Sequence, residues 1–200
     1  MIELPLFPLK IVLLPGNTLS LKIFETRYLD MIAHCMREDS SFGIVSIFRG
    51  EETLSDTDIH SIGTTAKISD WQTRADGLLG VTVLGLERFE IISTHTQDDG
   101  LTVGKVNILS ETEAIDIPEQ FFYMQELLDH ISAQEGKLPG KNQSFSEMMY
   151  QLIYQLPLDT NLKQRLLEIP LSADRAVILH AELIRLGVIQ YVKPNEAQEG

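Results

Sequence analysis

Apolar positions in the first part of the chain recur in short or alternating runs rich in Ile, Val, Thr and Phe, the pattern of strands in a sheet. The runs fall at 4–6, 11–14, 19–24, 42–48, 62–68, 78–84, 89–94 and 101–109. Pro15-Gly16 predicts a turn between two of them, since proline presets φ at the first central position and glycine accepts the positive φ at the second. Asp76-Gly77 and Asp99-Gly100 read as hairpin connections. One helix interrupts the strands over about 27–37, where Leu29, Ile32, Ala33 and Met36 recur at helical spacing and define its apolar stripe. Many short strands with little helix argue for a barrel or sandwich over a parallel α/β sheet.

Beyond residue 112 the period changes. Pro118 opens a helix whose face carries Phe121, Met124, Leu128 and Ile131, and a loop follows at 136–140. Ser144-Phe145-Ser146-Glu147 is a capping box that starts a second helix, stopped by Pro157. A third opens near Asp159 and closes at Pro170. The fourth runs over 172–187, with Gly187 at the left-handed cap. The expected organisation is α+β: a β-rich subdomain over 1–112, a helical bundle over 113–193 and a frayed tail over 194–200, with the junction near 111–118.

Composition narrows the classes. The 200 residues, 44% hydrophobic and 22% charged, suffice for a real core, at roughly 70% of the unfolded surface buried. The net charge of −13 is uneven: successive fifties carry 0, −7, −5 and −1. Such acidity opposes polyanionic partners, so nucleic acid is not expected. A single cysteine, Cys35, allows no internal disulfide and points to the cytoplasm. No apolar run is long enough to span a bilayer, and the proline-broken N-terminus does not read as a signal peptide, so no membrane association is expected.

Candidate chemistry is sparse. The five histidines stand 26, 35, 35 and 50 residues apart, which gives no zinc-type pair, and no EF-hand spacing occurs, so neither metal nor cofactor is expected. Gly80 and Gly85 have the outer spacing of a phosphate loop but lack the Lys-Ser/Thr that completes one. His34 and Cys35 are neighbours, yet consecutive helical side chains point about 100° apart and cannot work as base and nucleophile. Cys35 reads as a small hydrophobe of the core or its boundary.

Two segments carry a resemblance. Leu4-Pro5-Leu6-Phe7-Pro8-Leu9, Leu14-Pro15-Gly16 and Leu21-Lys22-Ile23-Phe24-Glu25-Thr26-Arg27-Tyr28-Leu29-Asp30-Met31 form the first. Ile62-Gly63-Thr64-Thr65-Ala66-Lys67-Ile68, Asp76-Gly77-Leu78-Leu79 and Gly85-Leu86-Glu87-Arg88-Phe89-Glu90-Ile91 form the second. In this order they resemble the Lon protease N-terminal (substrate-recognition) domain family. One departure is Thr26, where the family commonly has proline; threonine can cap a helix start. The resemblance implies a PUA-like β pseudo-barrel with one helix, then an α-helical subdomain. It also implies a non-catalytic recognition module, here stand-alone, since ATPase and protease domains have no room in this length.

The implied partners are polypeptide clients, or a protease or chaperone for which the chain acts as an adaptor, with the chain a monomer or weak homodimer. Candidate peptide contacts are Trp71, Phe24, Tyr28 and Phe89. Trp71, placed near a turn, is the best exposed aromatic, and Phe24 and Phe89 weigh toward the core. Pro15, Gly16, Glu25, Arg27, Gly85 and Arg88 read as structural: a carboxylate near a helix start serves the free amides, and an arginine forks onto it or onto carbonyls. Two other functions stand as alternatives, a hydrolase using Cys35 or a serine–lysine pair, and RNA binding by analogy of fold. Any peptide groove is expected to be mainly apolar, with basic clients drawn by the acidic flank.

Overall fold

A computed structural model describes residues 1–50, 58–111, 116–134, 136 and 143–189. Six strands come first: β1 (Ile2–Leu9), β2 (Thr18–Ile23), β3 (Phe42–Arg49), β4 (Asp58–Thr73), β5 (Leu79–Thr96) and β6 (Thr102–Leu109), with α1 (Thr26–Glu38) between β2 and β3. A 3₁₀ turn at Glu119–Phe121 leads into α2 (Phe122–Gln134), α3 (Phe145–Gln155), α4 (Thr160–Glu168) and α5 (Ser172–Arg185). The expected subdomain boundary at 112/113 and the tail over 194–200 lie outside the described residues, as do 137–140 of the expected loop.

The strands form one mixed sheet in the order β2-β5-β4-β3-β1-β6, and β5 also pairs with β6. That last pairing closes β1, β3, β4, β5 and β6 into a pseudo-barrel, with β1 parallel to β3 and the other pairs antiparallel. The expected turns are present. The amide of Asn17 donates to Leu14 O at 3.2 Å across Pro15 and Gly16, and Gly16 has φ +74°. Gly77 (φ +80°) and Gly100 (φ +84°) each end a turn that returns the chain to the next strand.

Several expectations are corrected. Residues 11–14 form no strand: the Leu13 carbonyl accepts from the Thr64 hydroxyl at 2.7 Å, while Leu13 packs on the barrel side and Leu14 among the helices. Residues 79–84 and 89–94 belong to one strand, β5. Gly85 is there for close approach, because a Cβ would sit 2.5 Å from Leu14 O. The Thr65 hydroxyl replaces the interrupted ladder, donating to Glu87 O and accepting the Glu87 amide. The buried stripe of α1 is Tyr28, Met31, Ile32 and Cys35 rather than the one through Ala33 and Met36, both of which are exposed. Stacking of Tyr28 on Phe7, with centroids 4.0 Å apart, sets this rotation.

The helical starts and stops follow the local chemistry. Ser144 and Glu147 form the full capping box, and Asp159 caps α4 through the Leu162 amide. Past α5, Gly187 at φ +71° and the bond from the Val188 amide to Leu183 O make a Schellman close. Helices α2 to α5 share one core, containing Met124, Leu128, Met148, Leu152, Leu166 and Leu179.

Inside the barrel the Phe89 ring fills the space between β3 and β4, and two glycines clear its way. A Cβ on Gly43 or Gly63 would lie 2.7 Å from the ring edge, and on Gly63 also 2.5 Å from Ile44 O. Because that oxygen is backbone, Gly63→Ala is expected to lower unfolding free energy by about 1–3 kcal/mol in denaturant titration. An unchanged midpoint would contradict this account of the barrel interior.

Candidate functional site

Among the described residues two arginines are buried, Arg88 and Arg175, and both are committed to protein partners. Arg88 on β5 is buried; its Nε donates to Glu111 Oε1 at 2.8 Å and its Nη1 to the carbonyls of Leu167 (3.0 Å) and Ile169 (3.4 Å). Arg175 on α5, 0% exposed, donates to Glu111 Oε1 at 3.1 Å, to Ser146 Oγ at 2.9 Å and to the carbonyls of Ile169 and Pro170, and it lies over the Tyr150 ring. The hydroxyls of Tyr150 and Ser146 both donate to Glu111 at 2.7 Å. Two arginines thus satisfy one carboxylate and the free carbonyls ending α4, where positive charge is favoured.

Burial by itself would raise the Glu111 carboxyl. The hydroxyls of Tyr150 and Ser146 and the charges of Arg175 and Arg88 outweigh it and hold the group below the usual carboxylate range. A depressed folded-state pKa contributes stability above the unfolded value of about 4.3 and loses it as pH falls through the folded value. Glu111→Gln is therefore expected to cost about 3 kcal/mol at neutral pH, the low end for a broken buried pair, because 28% of the side chain remains exposed. The gap to wild type should narrow below about pH 4. Denaturant titrations at both pH values check the sign.

The other expected site residues fall into three places. The Gly16 amide donates to Gly85 O and the Gly85 amide to Asn17 O, both at 2.9 Å, so Pro15, Gly16 and Gly85 form one docked turn. Asn17 extends it to the helices by donating to Tyr150 O at 3.4 Å. Glu25 is the N-cap residue of α1 but makes no side-chain cap bond. Its carboxylate takes Arg27 instead, at 2.8 and 3.0 Å, and Arg27 Nη1 donates to Gly100 O at 2.7 Å. That corrects the expected amide-capping role of Glu25 and realises the arginine fork. Thr26 is the first helical residue and not the cap.

Phe89 is wholly buried and presents no surface to a peptide, which removes it from the contacts. Phe24, weighed toward the core, is 60% exposed. It lines a pocket of about 180 Å³ with Phe7, Leu9, Leu21, Ile23 and Tyr28. Tyr28 is buried and forms a wall through its stack on Phe7. Trp71, 56% exposed, lies near the end of β4 opposite Val81, three residues before the turn that Gly77 closes on Arg74, and it lines a different pocket, of about 290 Å³. The structure therefore brings Phe24 and Tyr28 together and sets Trp71 apart.

Strand pairing adds what single residues did not reveal. β1 pairs with β6 over residues 2–5 and with β3 over 6–9. β2 pairs, among the described residues, with β5 alone. The Phe24 pocket is thus lined by two strand segments, each paired on one side. The charges beside it are already matched, Lys22 by Asp76 at 2.8 Å and Glu25 by Arg27. Pairing register is tertiary information, and no local signal in the sequence carries it.

Cys35 is a core residue. Burial pushes its thiol up, against a smaller opposing effect from Ser40, which disfavours the nucleophilic thiolate. In the folded protein it should react with a disulfide reagent at least about tenfold more slowly than after unfolding. Equal rates would restore the thiol-hydrolase alternative. Among the described residues no group of three or more His, Cys, Asp or Glu is placed to hold a metal ion, and no helix is long and apolar enough to cross a membrane.

The pseudo-barrel with its following helices defines an α+β domain of Lon N-terminal architecture. The chain belongs to the ATP-dependent protease La (LON) substrate-binding domain family, whose profile matches residues 3–185. It is similar to a Lon N-terminal domain protein from Xanthomonas campestris, with a TM-score of 0.78 and 29% identity over 90% of this chain and 98% of that one. It shares its fold with the N-terminal domain of the Mycobacterium avium complex Lon protease, with a TM-score of 0.65 and 18% identity over 94% and 100% of the two chains. It is also 29% identical to a Lon protease of Bacillus thuringiensis over 82% of this chain and 22% of that protein. Protein cereblon of Gallus gallus is 30% identical over 54% of this chain and 24% of its own length. The chain thus spans about a quarter or less of these two relatives.

Proposed function

We propose that the chain recognises polypeptide substrates by taking extended, apolar segments of unfolded proteins into the groove between β1 and β2. It then serves a protease or chaperone partner as a recognition module. Family membership supports substrate binding as the class of activity. The observation that carries the mode is the one-sided pairing of β2 and of residues 6–9 of β1 around a shared apolar pocket.

A strand edge offers unpaired amides and carbonyls to an extended chain, which supplies affinity with little dependence on sequence. The pocket beside it then takes alternate side chains of the guest. Its lining of Phe7, Leu9, Leu21 and Ile23 selects apolar ones, and the exposed Phe24 ring extends that surface outward. Because Lys22 and Glu25 are already paired, the groove imposes little charge preference of its own.

The test is binding of a reduced, alkylated and permanently unfolded model protein, followed by fluorescence anisotropy. Phe24→Asp places a charge on an exposed rim without opening the core. It should weaken binding at least about tenfold, as expected for an aromatic anchor, and leave the unfolding midpoint within error. Undiminished affinity in this variant would rule out the groove.

A further inference from the structure

On the other flank of α1 lies the Trp71 pocket, with different chemistry and a strand edge of its own. β3 accompanies β4 only as far as the Phe42–Ala66 pair, while β4 continues to Thr73. Residues 67–73 are therefore paired through β5 alone among the described residues, with Trp71 opposite Val81 and Asp70 opposite Thr82. The pocket encloses about 290 Å³ beside this edge. Sites for whole small molecules usually hold roughly 300–1,000 Å³, so a single long side chain is a guest of suitable size.

The lining combines two characters. Met36, Ile68 and Trp71 supply apolar contact, and Met36 and Trp71 are exposed. Asp39, Lys67 and Asp70 supply charge. Lys67 Nζ is matched by Asp39 at 3.0 Å. Asp70 accepts its neighbour's amide, the Trp71 N–H, on Oδ1 at 2.9 Å, and among the described residues it has no ion-pair partner. Lysine and arginine have this same dual nature, an apolar stem carrying a cationic head, and a cation is further attracted to the face of an indole.

We propose that the β4 edge and this pocket form a second recognition site, where an extended polypeptide segment adds as a strand and lays an arginine or lysine side chain over the Trp71 indole, with the Asp70 carboxylate beside it at the strand edge. Charge selects this guest over a second copy of the chain. Residues 51–100 carry −7 and the whole chain −13, so self-pairing at this edge brings like charges together, whereas a basic segment is drawn in. The inference rests on the reading of the chain as a polypeptide binder, but not on the groove at β2.

Trp71 is the chain's only tryptophan, so its fluorescence reports this pocket directly. The full chain is titrated with a short peptide of alternating valine and threonine bearing a central arginine, and with its glutamate counterpart. The arginine peptide should shift the indole emission saturably, and the glutamate peptide should bind at least about tenfold more weakly. Asp70→Asn keeps the acceptor for the Trp71 amide and removes only the charge. It should weaken the arginine peptide about three- to fivefold, as should raising salt from about 0.05 to about 0.3 M.

Absence of a shift, equal affinity for the two peptides, or indifference to Asp70→Asn would overturn the proposal. So would an indole shift accompanied by dimerisation in sedimentation without peptide, which assigns the edge to a second copy. The two sites separate cleanly through Phe24→Asp. If that variant loses unfolded-protein binding while Trp71 stays silent to the arginine peptide, only the β2 groove stands. If Trp71 responds and Phe24→Asp changes nothing, only the site at Trp71 stands.

Discussion

The arrangement of this molecule depends on one carboxylate shared by two buried arginines. Glu111, just past β6, receives Arg88 from the barrel and Arg175 from α5, and the hydroxyls of Tyr150 and Ser146 complete its shell. The same arginines supply donors to the carbonyls of Leu167, Ile169 and Pro170 at the end of α4. A buried ion pair is a weak source of net stability but a strong penalty on any arrangement that leaves an ion unpaired. Strand, carboxylate and helix end must therefore meet in one geometry. The apolar core of the helices adds area without direction.

The second organising constraint is the length of β5. Its first half pairs with β2 and its second half with β6, while β4 runs along the other side. A strand that changes partner on one side closes the barrel round only part of its length. The remaining half is the centre of a three-stranded sheet with an edge at β2 and another at the far half of β4. Helix α1 covers one face of this sheet through Tyr28, Met31, Ile32 and Cys35, and a pocket opens along each of its flanks. Both proposed sites thus descend from one topological fact. They differ in chemistry because Asp39, Lys67 and Asp70 line the β4 flank beside Trp71, whereas the β2 flank is lined mainly by apolar and aromatic side chains.

Interaction surfaces of this kind leave few signatures in a linear sequence. Phe24 and Phe89 stand in similar strand-like surroundings, yet one is 60% exposed and the other is enclosed between Gly43 and Gly63. Trp71, a lone aromatic between Asp70 and Gln72, is exposed. Its placement inside a strand, opposite Val81, did not show, because Asp70 and Gln72 masked the alternation. The two runs at 78–84 and 89–94 do not read as one strand, because Gly85 and the polar residues after it break the apolar pattern, and the glycine is there for the close approach of Leu14 O.

Local chemistry in the sequence determined the turns at Pro15-Gly16, Asp76-Gly77 and Asp99-Gly100, the capping box at Ser144, the stop at Gly187 and the change from strand to helix period. Each depends on interactions within a few residues, so a short window contains the whole cause. Only the tertiary structure decided which face of α1 is buried, that residues 11–14 bridge two cores without joining a ladder, and that Glu111 binds two arginines 23 and 64 positions away in the chain. It also decided which strand edges remain unpaired. That is a property of which strands come together around β5, and pairing over such distances is set by the energy of the assembled sheet and core, to which no single segment holds the key.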